Sequence, residues 1–212
     1  MVKLSILIPT VPSRLELFYP RIIKELLRQI GNSSDIELVA LFDNKKRSVG
    51  EKRQNLIDIA NGEYLTFIDD DDRISPDYIS CIMNALYSNL NTDCVVYDTI
   101  CCVDNGALKK LCKYGIEFEY GDILGGREWR GKPAHTMIYK SSIAKKHTFK
   151  NINHGEDVEW VKRACKDIVV QTRIDKVLYY YDANYTTTSE TVGLSDAHIK
   201  TNVEELLKNK SN

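Results

Sequence analysis

The run Tyr64-Leu65-Thr66-Phe67-Ile68 ends in four consecutive aspartates, Asp69 to Asp72. A strand that is apolar on both faces belongs in the middle of a buried sheet, which points to an α/β layer architecture. Four carboxylates at its carboxyl end repel one another unless a cation or a hydrogen-bond network answers them. The carboxyl edge of an open α/β sheet is also where ligands bind. The simplest resolution is a divalent metal holding a phosphorylated ligand. The plain alternative is a solvated acidic loop.

The surrounding pattern favours a site. Lys3 to Ile8 reads as a buried strand closed by Pro9, and Ser13 with Glu16 forms a capping-box pattern that predicts a helical segment. Pro20 breaks or restarts that helix, since proline suits a first helical turn. Ile22, Ile23, Leu26, Leu27 and Ile30 then form one apolar face, ended by Gly31-Asn32. Ile36 to Phe42 is a second strand with Asp43 at its end. Ser48 and Glu51 open a helix to Ala60, and Ser75-Pro76-Asp77 opens another through Leu86. This alternation predicts a mostly parallel sheet covered by helices. Pro9-Thr10, Asp43 and Asp69 to Asp72 each follow a strand, so three distant segments converge on one edge.

The second half reads differently. Cys94 to Val103 and Leu108 to Tyr120 are strand-like and flank the turn Asp104-Asn105-Gly106, which predicts an antiparallel hairpin. A Gly-rich loop spans Gly121 to Gly126, and Ser141 or Ser142 can cap a short helix. Glu156 to Cys165 is a helix with acidic residues in its first turn. Two strand-like runs, Ile168 to Ile174 and Val177 to Tyr181, precede a polar stretch and a final helix near Asp196 to Lys208. With no linker or repeat, the expectation is one domain over 1–212. Its parts are a ligand-binding half (1–92), a second half (93–195) and a C-terminal helix (196–212).

Charge and cysteine content narrow the classes. A formal net charge of -1 gives no global reason to expect nucleic acid or an anionic membrane as a partner, although residues 132–150 are locally basic. No apolar stretch is long enough for a membrane span, and Met1-Val2-Lys3-Leu4 runs into a strand pattern rather than a signal peptide. The six cysteines lack zinc-like spacing and lie mostly in apolar runs, as reduced thiols do, so a cytoplasmic location is expected.

The motifs taken together resemble the family 2 glycosyltransferases of the GT-A fold, over roughly residues 3–182. The resemblance runs from the first strand with Pro9-Thr10, through Asp43, Gly50 and Arg53, to Ala60-Asn61-Gly62-Glu63-Tyr64. It continues into Phe67-Ile68 with Asp69 to Asp72, then Pro76, Gly155-Glu156-Asp157 and Arg163. What it implies is a GT-A fold (Rossmann-like, a mostly parallel sheet flanked by helices) with an added antiparallel hairpin region. It implies a metal-dependent inverting enzyme moving one sugar from a UDP-sugar or another nucleoside-diphosphate sugar to a glycan or other hydroxyl. Asp69 and Asp71 match the D-x-D positions, with Asp71 on Mn2+ or Mg2+ and Asp69 facing the ribose or the metal shell. Thr10 and Asp43 match positions that contact the base, Arg53 one near the donor, and Asp70 one beside the donor sugar. Asp72 has the better claim to a structural role.

In the family the base is the aspartate of a Glu-Asp pair, here Asp157, with Glu156 placing acceptor or base. Trp129 is a candidate for stacking on the acceptor, whereas Trp160 at helical spacing from Asp157 suits the core. His135, His154 and His198 are candidates for a late metal-binding histidine. The chain departs from the family in carrying Gln54 after Arg53 and in lacking the Gln-x-x-Arg-Trp signature of processive synthases, which favours single-sugar transfer. Two alternatives stand beside this reading. One is a module that binds a nucleotide sugar without transferring it; the other is the same chemistry on a hydroxylated nucleobase of DNA, permitted by Lys132, Lys140, Lys145, Lys146 and Lys150.

Overall fold

A computed structural model describes residues 1–16, 18–103, 108–123 and 126–183. The first half alternates as its hydrophobic pattern predicts: β1 (Leu4–Thr10), α1 (Tyr19–Ile30), β2 (Ile36–Phe42), α2 (Val49–Ile59), β3 (Tyr64–Phe67), a short β4 (Arg73–Ile74) and α3 (Tyr78–Ser88). The second half runs β5 (Cys94–Val103), β6 (Leu108–Tyr114), β7 (Gly121–Ile123), β8 (Glu128–Gly131), β9 (Ile138–Lys140), α4 (Ser141–Ala144), α5 (Glu156–Ala164) and β10 (Gln171–Ala183).

A single sheet passes through both halves in the order β2-β1-β3-β9-β5-β6-β8-β7, with β10 beside β5 and β4 on β10. β1 is parallel to both β2 and β3, placing Leu4 opposite Ile36 and Tyr64. β9 joins the halves by pairing antiparallel with β3 and β5. β1 and β3 are buried along their whole length, which fits their mostly apolar sequences, broken only by the buried side chains of Ser5, Thr10 and Thr66. The sheet is therefore the expected parallel, helix-flanked α/β arrangement through β1, β2 and β3, with antiparallel pairs (β5–β6, β7–β8) mixed with parallel ones (β6–β8, β5–β10) beyond β9.

Several local expectations change. Ser13 and Glu16 open no α-helix; Pro12–Arg14 is a single 3-10 turn, and α1 starts at Tyr19 with Pro20 in its first turn. Ile22 and Leu26 are buried, but Leu27 is 56% exposed, so the apolar face of α1 is narrower than its pattern suggested. β6 stops at Tyr114, where Phe118 N donates to Gly115 O in a turn. Part of the expected Gly-rich loop is a strand, because Gly121–Ile123 pairs antiparallel with Glu128–Arg130. The two runs expected at 168–174 and 177–181 form one strand, β10, parallel to β5; register shifts between Ile174 and Tyr179 absorb the charged pair Asp175-Lys176.

The hairpin pairing of Thr99–Val103 with Leu108–Cys112 is present. Its turn residues 104–107, the final helix at 196–208 and His198 lie outside the described residues. Trp160 is fully buried, stacked on Phe149 at 4.9 Å and donating from Nε1 to His147 O at 2.7 Å. All six cysteines are free thiols. Among the described residues no helix is long and apolar enough to cross a membrane.

Candidate active site

The carboxyl ends of β1 and β3, the start of α2 and the start of α5 surround a cleft of about 610 Å³. Its lining comes from Pro9, Thr10 and Arg14 at and after the end of β1, Lys52 and Arg53 in α2, Asp69 and Asp71 after β3, and Asn153 to Glu159 at the start of α5. The convergence predicted for Thr10 and the aspartates is thus present. Asp43 stands one layer back, its carboxylate 3.3 Å from Lys52 Nζ and accepting from Lys45 N and Arg47 N at 3.1 Å each. Lys52, which lines the cleft, links this carboxylate to Thr10 O at 3.1 Å.

Local sequence explains the placement. Ser48 caps α2 by accepting from Glu51 N at 3.0 Å, as its capping-box pattern predicted. Gly50 lets the 150–156 segment pack directly on α2, for a Cβ there would meet Lys150 O and the Glu156 side chain. Gly155 takes φ 72, a left-handed conformation that suits glycine, and turns the chain into α5 with Glu156 and Asp157 in its first turn.

The four aspartates separate into four environments. Asp69 accepts from Arg53 Nη2 at 2.9 Å. Burial opposes its ionisation, but Arg53 and His135 hold it below the usual carboxylate range. Asp70 is completely buried behind the cleft wall, taking Arg14 Nη1 at 2.5 Å and the Thr10 hydroxyl. Asp71 faces the cleft, 3.0 Å from Arg14 Nη2. Burial, with the charges of Asp69 and Asp70 outweighing Arg14, pushes it up to about 6. Asp72 points the other way and accepts from Tyr179 OH at 2.7 Å and Asp182 N at 2.9 Å, consistent with a structural role. Burial and the neighbouring carboxylates raise it well above its usual range.

Arg53 ties the two acidic segments together. Its guanidinium lies 5.1 Å from the Phe67 ring centre, bonding Asp69 on one side and Glu156 Oε1, 3.2 Å from its Nε, on the other. Glu156 is therefore buried against Arg53. His135 makes a second link: its Nδ1 is 3.2 Å from Asp157 Oδ2 and its Nε2 3.5 Å from Asp69 Oδ2. Asp157 is 30% exposed to the cleft. Burial would raise it, yet His135 and Arg53 hold it below the usual carboxylate range.

Trp129 does not line the cleft; it packs edge-on to Tyr114 at 5.6 Å and tilted on Tyr120 at 5.7 Å. His154 lines the cleft and His135 sits inside the carboxylate network. Arg14 and Lys52 escaped the sequence reading. The only signal for Arg14 was a surplus of negative charge that the single adjacent cation, Arg73, cannot balance (it pairs with Asp182), which says a partner is needed without saying which.

The arrangement suits a dication. Asp71 opens on the cleft with its charge incompletely answered, and Asp69 stands beside it. Among the described residues no group of three or more histidine, cysteine or acidic side chains forms a cage. Two carboxylates with open space beside them match ions that take remaining ligands from phosphate oxygens and water.

Comparisons with known proteins agree with this architecture. The fold matches S. aureus TarS with a TM-score of 0.64 at 16% identity, covering 98% of this chain and 43% of that one. TarS 1–349 in complex with UDP matches at 0.65 and 16% identity, over 97% of this chain and 71% of that one. TarS 1–349 in complex with UDP-GlcNAc matches at 0.62 and 15% identity, over 98% and 72%. The chain thus spans less than half of the first of these. No curated protein matches it. The model of the family described as Glycosyl transferase family 2 matches residues 19–148, a stretch containing Asp43, Arg53, the aspartate run and His135 and stopping before Glu156. With most of its length matched, the chain belongs to glycosyl transferase family 2.

Proposed function

We propose that this chain transfers one sugar from a nucleoside-diphosphate sugar, a UDP-sugar in the first instance, to an acceptor hydroxyl with inversion and without processive extension. The observation that carries this reading is the placement of Asp157 and the Asp69–Asp71 pair around one cleft, tied through His135 and Arg53. The complexes of TarS 1–349 with UDP and UDP-GlcNAc support a uridine nucleotide as the donor part.

Asp71 and Asp69 are the residues that would hold Mn2+ or Mg2+. When bound, such an ion neutralises charge on the departing diphosphate. Arg53 keeps Asp69 ionised and oriented, and Lys52 with Asp43 and Thr10 shapes the end of the cleft assigned to the base. Asp157 takes the acceptor proton as the acceptor oxygen bonds to the anomeric carbon and the bond from that carbon to the diphosphate oxygen breaks. Its depressed pKa does not prevent this. The attacking hydroxyl becomes strongly acidic as the new C–O bond forms, so an ionised carboxylate within reach accepts the proton late in the step. Glu156 positions Arg53, while the rim beyond Asp157, with exposed Val158 and half-buried Glu159, faces the acceptor's approach.

The test is Asp157→Asn. Sugar transfer and donor hydrolysis are expected to fall about 10²- to 10⁴-fold, the usual worth of a general base, with Mn2+-dependent UDP binding by calorimetry retained. Near-normal turnover in the variant removes the base assignment. UDP binding without any transfer or hydrolysis by the unaltered chain, across an acceptor screen, makes it a binding module instead.

A further inference from the structure

Arg14 already occupies the aspartate site. Its side chain is 8% exposed and rises from the 3-10 turn after β1 into the cleft wall. One arm of the guanidinium, Nη1, meets Asp70 Oδ1 at 2.5 Å; the other, Nη2, meets Asp71 Oδ2 at 3.0 Å. These carboxylates differ in access. Asp70 is sealed behind the wall and also bonded by the Thr10 hydroxyl, whereas Asp71 and Arg14 line the cavity. A guanidinium on Asp71 and a dication on the same carboxylate place two cations together, so each weakens the other's hold. Arg53 is less able to yield, being clamped between Asp69 and Glu156 over the Phe67 ring.

We propose that Arg14 is an internal competitor of the divalent cation, holding Asp71 in the unliganded chain and releasing it when a diphosphate offers the guanidinium another anion. The inference rests on the metal-dependent reading given above. A planar guanidinium suits the exchange, because one arm keeps Asp70 while the other moves from carboxylate to phosphate, and both anions match its fork. Cation and nucleotide then bind with positive coupling, which is reciprocal by linkage. Arg14 makes cation occupancy conditional on nucleotide.

Mn2+ binding to the full chain, read from the electron paramagnetic resonance signal of the free ion with and without UDP, tests this. For the unaltered chain UDP is expected to tighten Mn2+ by about tenfold, within the usual range of such couplings. Arg14→Gln is expected to tighten Mn2+ without UDP by a similar factor and to shrink the gain from UDP. Arg14→Lys is expected to fall between, since a compact ammonium lacks the planar two-armed fork that meets Asp70 and Asp71 together; it keeps the charge if Arg14→Gln proves too unstable. A cooperative thermal melt qualifies each variant. Mn2+ affinity that is unchanged or weaker in both variants overturns the proposal and leaves Arg14 a structural counter-ion, with the metal-dependent reading intact. Absence of Mn2+ binding by the unaltered chain, even with UDP, overturns that reading and this inference together.

Discussion

Asp71 and Asp72 are adjacent and chemically identical, yet they face opposite sides of the strand end. Asp71 opens on the cleft beside Arg14, while Asp72 is locked to Tyr179 and the backbone of β10. The same substitution therefore has different consequences at the two positions. Asp71→Asn is expected to abolish Mn2+-dependent UDP binding with little change in stability. Asp72→Asn leaves one buried donor without an acceptor and is expected to cost about 1–3 kcal/mol, while UDP binding survives. Urea melts and calorimetry on both variants check the pair. Swapped outcomes would show that the wrong aspartates have been assigned to the cleft. No property of the four letters distinguished these roles beyond the D-x-D resemblance, because side-chain direction depends on what packs beneath each residue.

The elements were legible where periodicity and capping agreed. Ser48 with Glu51 forecast the start of α2, and Pro20 forecast where α1 begins. Elements held by pairing rather than local preference were harder. β7 has glycine at its start and exists through β8, and β10 carries Asp175-Lys176 through its irregular register. The packing of α2 on the 150–156 segment, which sets where Asp157 stands, hangs on Gly50. Gly50→Ala puts a methyl against the Lys150 carbonyl, a backbone atom with little freedom to withdraw. The expected cost is about 1–3 kcal/mol, together with a fall in kcat larger than the change in UDP affinity. Stability and turnover unaffected by Gly50→Ala would mean that the segment yields easily and that Asp157 is placed by other contacts.

At the scale of the whole molecule, charge distribution bears on the acceptor. Four of the five lysines of the basic stretch are individually engaged: Lys132 with Ile116 O, Lys145 with Ala60 O, Lys146 with Asp167 and Lys150 with Glu159. That dispersal is a poor basis for tracking a phosphate backbone. Transfer rates are expected to change less than about threefold between 50 and 200 mM salt, whereas multiple phosphate contacts would cost orders of magnitude. A steep loss across that range, with a hydroxylated DNA base as acceptor, would restore the nucleic-acid reading.

By itself the sequence determined the alternation of strands and helices, the buried centre of the sheet and the edge on which Thr10 and the aspartates gather. Those follow from local periodicity and from the rule that residues after parallel strands share one edge. Only the tertiary structure decided which carboxylates face the cleft, that Arg14 lies on Asp70 and Asp71, and that His135 stands between Asp69 and Asp157. Buried charges find partners through space, and here the partners are separated by dozens of residues. A chain read in order records the need for compensation but not its direction.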